Sequence, residues 1–363
     1  MKKIVLLFLL SAGMTVPLFS GGSTESASQE KIEEPKTRIV EDTLGRKVEV
    51  PIEPKRVVGI GAGGLRLIVF AGGTDLLVGI EDFEKKDQKK PYVMAHEELL
   101  ELPSIGPKHG ADPELVAGVR PDLIIGAHLS REKADSMQTK TGCPVVTLNH
   151  GVLIKENTSY EPLFEAIKMT GELLNREESA QRSISYIKSL LEDLDKRTRN
   201  ISKEKQKEVY IGGMRFHGAH EKGLLSTDPV YRPFTFIHAK NVASKVGSNY
   251  VTINEEQLLQ WDPEYIFVDA GGKKNVDMDA PEFSLLTALK EGNVYLLPPL
   301  NYYNTNFSTE IANSYFIGKM IYPDQFKEIN PEEKADEIYR TLLGKAVYQE
   351  MKKVWGGYKA LLP

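Results

Sequence analysis

Glycine, arginine, histidine and tyrosine gather in a few short loops of this 363-residue chain, each following an apolar run of strand length. After residues 57–60 comes Gly61-Ala-Gly-Gly64-Leu-Arg66, and after 123–125 comes Gly126-Ala-His128. After 209–211 comes Gly212-Gly213-Met-Arg215-Phe-His217-Gly-Ala-His220, and after 294–297 two prolines lead to Asn301-Tyr302-Tyr303-Asn304. Ligands of parallel α/β sheets sit outside the carboxyl ends of the strands, so these loops form the candidate cleft. Gly61, Gly63 and Gly64 would give a ligand close access to N–H groups at a helix start, where anions are favoured. Arg66, Arg215 and Arg232 can each grip a carboxylate or phosphate-like group with two prongs, or pair with acids inside the fold. Tyr302 and Tyr303, with Asn304 beside them, can stack on a flat or bulky ligand or simply pack. His217 and His220, next to Glu221, are candidate ligands for zinc, manganese or iron. Polar contact to a bound chelate and ordinary loop surface are the other readings of that pair. His109, in a Gly-Pro-Lys-His-Gly turn, faces either the cleft or solvent.

Gly59-Ile-Gly61-Ala-Gly-Gly64 satisfies the G-x-G-x-x-G spacing after a strand, with Glu81 and Asp82 at a suitable distance beyond. A NAD-dependent enzyme using the 59–64 loop is therefore one rival reading. Against it, the helical stretch after Gly64 is short before Gly72-Gly73 ends it. No Ser/His/Asp spacing, nucleophile elbow or P-loop is present, so no catalytic residue is expected and the chain reads as a non-enzyme. One cysteine, Cys143, excludes an internal disulfide and a cysteine-cluster metal site, and it reads as a small buried packing residue. A net charge of -5 without a basic cluster argues against nucleic acid and anionic membrane surfaces.

The elements that must position these loops are legible as period and punctuation. The runs at 57–60, 76–80, 123–125 and 145–148 are continuously apolar, which suits parallel strands buried on both faces. A second set lies at 209–211, 265–268 and 294–297. Between the sets, Ile184, Ile187, Leu190, Leu191 and Leu194 repeat at helical spacing. Thr158 with Glu161, and Asn175 with Glu178, are candidate capping boxes for that stretch. About twenty residues of helix give a rod of roughly 30 Å, enough to cross between lobes. The expected fold is α/β, with two Rossmann-like lobes, each around a central parallel sheet, joined by one long helix. Residues 38–157 form the first lobe, 158–200 the linking helical segment, and 201–363 the second lobe with closing helices. Ahead of them, Lys2 and Lys3, the apolar run from Ile4 and the small residues at 20–22 read as a signal peptide over 1–22. Residues 23–37 then read as a flexible tether. Leu-Phe-Ser-Gly before Gly22 is like a lipoprotein box with glycine in place of the lipidated cysteine.

One phrase occurs twice: Glu114 to Pro121-Asp-Leu-Ile-Ile125, and Glu256 to Pro263-Glu-Tyr-Ile-Phe267. The copies are too far apart for a solenoid of roughly 20–50-residue period, and read as one unit used once per lobe. With Asp42-Thr-Leu-Gly-Arg-Lys-Val-Glu-Val-Pro51, Pro54-Lys-Arg56-Val-Val58, Gly292-Asn-Val-Tyr295 and Tyr322-Pro-Asp-Gln-Phe326, these phrases resemble periplasmic substrate-binding proteins of the iron-siderophore, haem and vitamin B12 type. The resemblance covers nearly all of residues 38–345. It implies an exported monomer, in the periplasm or at the outer face of the cytoplasmic membrane. It also implies a cargo clamped between lobes and passed to an ABC permease driven by a cytoplasmic ATPase. In that family one exposed glutamate per lobe docks onto permease arginines, and the matching positions are Glu114 and Glu256. Each is equally a helix-start acid favoured by the macrodipole. The expected cargo is an iron(III) complex or related metal chelate, with no permanent cofactor. A free metal ion or an oxyanion such as molybdate is the rival cargo.

Overall fold

The computed structural model describes residues 36–86, 89–150, 159–215, 220–248, 250–278 and 280–362. The expected signal peptide, nearly all of the tether, Thr158 and His217 lie outside the described residues, as does the side chain of His220.

A hairpin of β1 (Thr37–Glu41) and β2 (Lys47–Pro51) opens the chain. Its turn is built by Asp42, whose carboxylate accepts from Leu44 N and Arg46 N at 3.0 Å and pairs with the Arg46 guanidinium. The next four strands are β3 (Val57–Ile60), β4 (Leu77–Gly79), β5 (Leu123–Ala127) and β6 (Val145–Leu148). They form an all-parallel sheet in the order β4-β3-β5-β6. Residues of β3, β5 and β6 are buried throughout, as continuous apolarity requires of strands covered on both faces.

A second sheet uses β7 (Glu208–Gly212), β9 (Lys240–Asn241), β11 (Tyr265–Asp269), β12 (Val294–Leu297) and β13 (Lys359–Ala360), ordered β13-β12-β11-β7-β9. Only the β12–β13 pairing is antiparallel. The short strands β8 (Ser226–Thr227) and β10 (Val251–Thr252) pair apart from it.

The repeated phrase falls once in each sheet and does the same work in both. Asp112 caps the Pro113–Gly118 helix by accepting from Glu114 N at 2.9 Å, and Asn254 caps the Glu255–Trp261 helix by accepting from Gln257 N at 2.8 Å. The acid after each proline then fastens the neighbouring strand. Asp122 accepts from Lys55 N and Arg56 N, 2.8 and 3.0 Å away, just ahead of β3. Glu264 accepts from Glu208 N at 3.2 Å and from Lys207 Nζ at 2.6 Å, at the start of β7.

Two helices, Glu161–Leu174 and Glu177–Thr198, link the sheets. Asn175 does not cap the second helix, as its spacing with Glu178 suggests. It ends the first, at φ 53°, and its side-chain amide donates to Ile52 O. Asparagine tolerates the left-handed conformation that a helix end needs. The second helix has 22 residues, roughly 33 Å at 1.5 Å per residue, and buries Ile184, Ile187, Leu190 and Leu194 as the sequence spacing requires. One continuous core includes Val57 and Leu123 of the first sheet, these spine residues, and Val209 and Phe267 of the second.

Candidate functional site

The loop after β3 is pressed against its neighbours, and glycine is what permits it. At Gly61 (φ +77°) a Cβ would lie 2.4 Å from Ala127 O, and at Gly63 (φ +122°) it would lie 2.4 Å from His150 Nε2. Glu81, just past β4, secures the loop. Its Oε1 accepts from Gly61 N and Gly110 N, both at 3.0 Å, and its Oε2 accepts from the Tyr303 hydroxyl. Burial raises the Glu81 pKa against the lowering effect of these hydrogen bonds. A carboxylate engaged this way is not presented to a ribose, so the acid that completes the dinucleotide spacing serves the fold instead.

His128 and His150 follow β5 and β6 and meet with their Nε2 atoms 3.0 Å apart. His150 Nε2 also lies 3.3 Å from Ala62 O, which can only accept, so this nitrogen carries the proton. That leaves His150 Nδ1 bare and buried, without a partner among the described residues. Burial is the main reason both rings stay neutral. It pushes His128 down to about 4 and His150 well below its ordinary value, with Arg66 adding to both.

Arg66, on the Gly64–Ala71 helix, is 2% exposed. Its guanidinium lies over the Tyr92 ring, 4.9 Å from the centroid, and Nη2 donates to Tyr303 O at 3.0 Å. Nε and Nη1 are buried with no partner among the described residues. The adjacent Glu84 is occupied elsewhere, accepting from the Tyr92 hydroxyl at 2.8 Å and lying 3.4 Å from Lys90 Nζ. A buried guanidinium with two orphan donors beside two neutral imidazoles is a floor suited to anionic oxygens.

From the second lobe, Tyr302, Tyr303 and Asn304 reach across to the first. Tyr302 stacks on Phe83, Tyr303 accepts from His109 N at 2.8 Å, and Asn304 donates to Ala62 O at 3.2 Å. Phe307 packs edge-on to His150 with centroids 5.6 Å apart. Arg215 is exposed at the end of β7, near Asp269, whose carboxyl burial lifts to about 7. Arg232 is not a ligand grip: it forms a two-pronged pair with Glu310, both distances 2.9 Å, to which the Tyr160 hydroxyl also donates. Cys143 is buried with its thiol pushed up to about 12, as a packing residue should be. Glu114 and Glu256 are exposed on the first turns of their helices. Among the described residues, no group of three or more His, Cys, Asp or Glu side chains is placed to hold a metal ion.

Residues 58–300 match the family model described as periplasmic binding protein. The chain belongs to that family. Within it, the chain is similar to the Fe(3+)-citrate-binding protein YfmC of Bacillus subtilis, with 27% identity over 81% of this chain and 87% of that one. It is also similar to the iron(3+)-hydroxamate-binding protein FhuD of the same organism, with 26% identity over 71% of this chain and 78% of that one. In fold it resembles the molybdate-bound MolA of Haemophilus influenzae, with TM-score 0.69 and 20% identity over 85% of this chain and 98% of that one. The two-lobed α/β architecture expected from sequence is the one observed, and these relatives are binding proteins rather than enzymes. Of the predicted cleft residues in this periplasmic binding protein, the structure gathers the glycine loop, Arg66, His128 and the 302–304 segment at one seam. Sequence reasoning overlooked His150, although it too follows a strand, and saw Glu81 only as a possible ribose acid.

Proposed function

We propose that this periplasmic binding protein is the cargo-capturing component of an ABC importer on the outer side of the cytoplasmic membrane, and that its cargo is an anionic iron(III) complex of the ferric citrate kind. The observation that carries the reading is Arg66, buried with two unpartnered donors beside the neutral His128–His150 pair. Carboxylate oxygens satisfy those donors. A bare cation beside a buried guanidinium would meet Coulomb repulsion that little solvent screens. The likeness to the Fe(3+)-citrate-binding protein supports the same chemistry. Iron here is cargo, held through its chelate, and no permanent cofactor is needed. The protein works as a monomer and presents Glu114 and Glu256 to the permease.

The test is equilibrium dialysis of the purified protein against iron-55 citrate, ferric hydroxamate and molybdate. Ferric citrate should bind, and Arg66→Ala should weaken it by tenfold or more, as removal of one member of a buried charge pair does at a cost of about 2–5 kcal/mol. Retention of molybdate or hydroxamate with no affinity for ferric citrate would overturn the reading.

A further inference from the structure

Resting on that reading, we propose that the Asn301–Thr305 segment is a displaceable stand-in for cargo. The Tyr303 carbonyl holds the place on Arg66 that an anionic group of the ligand takes, and binding lifts the segment off the first lobe.

The segment is built to move as a unit. An antiparallel bridge between Asn301 and Thr305 closes it at the base, and Tyr302 N donates to Asn304 O inside it. Outside that bridge it is held to the first lobe by packing of Tyr302 and Tyr303 on Phe83 and by exchangeable polar contacts. These are Tyr303 hydroxyl to Glu81, His109 N to the same hydroxyl, Asn304 to Ala62 O, and Arg66 Nη2 to Tyr303 O. Tyr303 holds a φ of 54°, a conformation that a bulky residue adopts at a cost, and lifting the segment releases it.

The geometry of Arg66 puts the segment in competition with a two-pronged ligand. A carboxylate approaching end-on uses Nη1 and Nη2, and one approaching side-on uses Nε and Nη2. Both arrangements draw on Nη2, which has two N–H groups, and the Tyr303 carbonyl takes one of them, so a ligand in the arrangement that uses that N–H displaces the segment. A single neutral carbonyl is a weaker partner for a guanidinium than an anionic oxygen, so the anion wins the exchange. Moving Tyr302 and Tyr303 aside also vacates the room the ligand needs.

Two measurements decide it. Tyr303→Phe cuts the hydrogen bonds of the hydroxyl while leaving the carbonyl in place. If the segment competes with cargo, this variant should bind ferric citrate more tightly, by about fivefold or more, the change expected when two hydrogen bonds no longer favour the closed form. Unchanged or weaker binding overturns the proposal. The second uses the chain's two tryptophans. Trp355 contacts Tyr302 with centroids 5.4 Å apart, so in Trp261→Phe protein the remaining indole reports on the segment. Gallium(III) citrate, which does not quench by light absorption as iron does, should shift Trp355 emission on saturation. An unmoved spectrum with gallium citrate bound by dialysis overturns the proposal and leaves the cargo reading standing. Failure of the unmutated protein to bind citrate complexes brings down both.

Discussion

Two imidazoles sharing one proton 3.0 Å apart are tolerable only while neither is protonated a second time, and burial enforces that at His128 and His150. The same burial links the site to stability. In the unfolded chain each ring titrates near 6.5, whereas folded His128 titrates at about 4. Between those values the unfolded state binds more protons, so the contribution is fully present above pH 6.5 and is lost as pH falls towards 4. Asp269 runs the other way: its folded value of about 7 lies above the usual 3.8, so its contribution is present at low pH and lost as pH rises through 7. Comparing the protein with His128→Asn isolates the histidine part. The unmutated protein should lose more melting temperature between pH 7 and 4.5 than the variant, followed by circular dichroism. Parallel curves would show that His128 carries no linkage.

At the scale of elements, the Pro-acid phrases show why a local pattern can be read correctly and explained incompletely. Their helix-then-strand order was legible, and both strands lie where the apolar runs put them, in separate sheets. The job of the acid was not legible, because Asp122 works on residues 55 and 56 and Glu264 on residues 207 and 208. Asp122→Ala should therefore cost about 1–2 kcal/mol in urea unfolding, by leaving two strand-leading N–H groups without their acceptor. A loss no larger than at an ordinary surface site, within about 0.5 kcal/mol, would remove that role. The glycine loop tells a similar story. Its place beside the site was readable from the strand-end rule, but its glycines answer to Ala127 O and His150 rather than to a pyrophosphate. Asn175 carries the right residue type for either end of a helix, and only tertiary placement against Ile52 O decided which. The clasp of Tyr303 on Glu81 spans 222 positions, a separation no periodicity encodes.

Across the whole molecule, one continuous core runs from the first sheet through the 22-residue spine to the second, so large hinge motion would have to break buried packing. If, as proposed, the chain delivers cargo to an ABC permease, a body that changes shape little would be recognised largely through fixed surface features, and Glu114 and Glu256 are well suited to that. Each sits exposed on the first turn of its helix, and each helix already has a different cap, Asp112 or Asn254. Neither glutamate is needed to hold its helix, which leaves both charges free for arginines on a partner. Exposed charge pairs of this kind mainly govern encounter rate and are weakened by salt. Reversing both, as Glu114→Lys with Glu256→Lys, should therefore leave ferric citrate affinity within about twofold, since 0.4 kcal/mol is the most that such a factor represents. The double variant should nonetheless fail to stimulate ATP hydrolysis by the reconstituted importer, with each single variant intermediate and the unmutated protein losing stimulation as sodium chloride rises. Normal stimulation by the double variant would place the docking surface elsewhere, and lost cargo binding in either single variant would mean that these glutamates support the lobes after all.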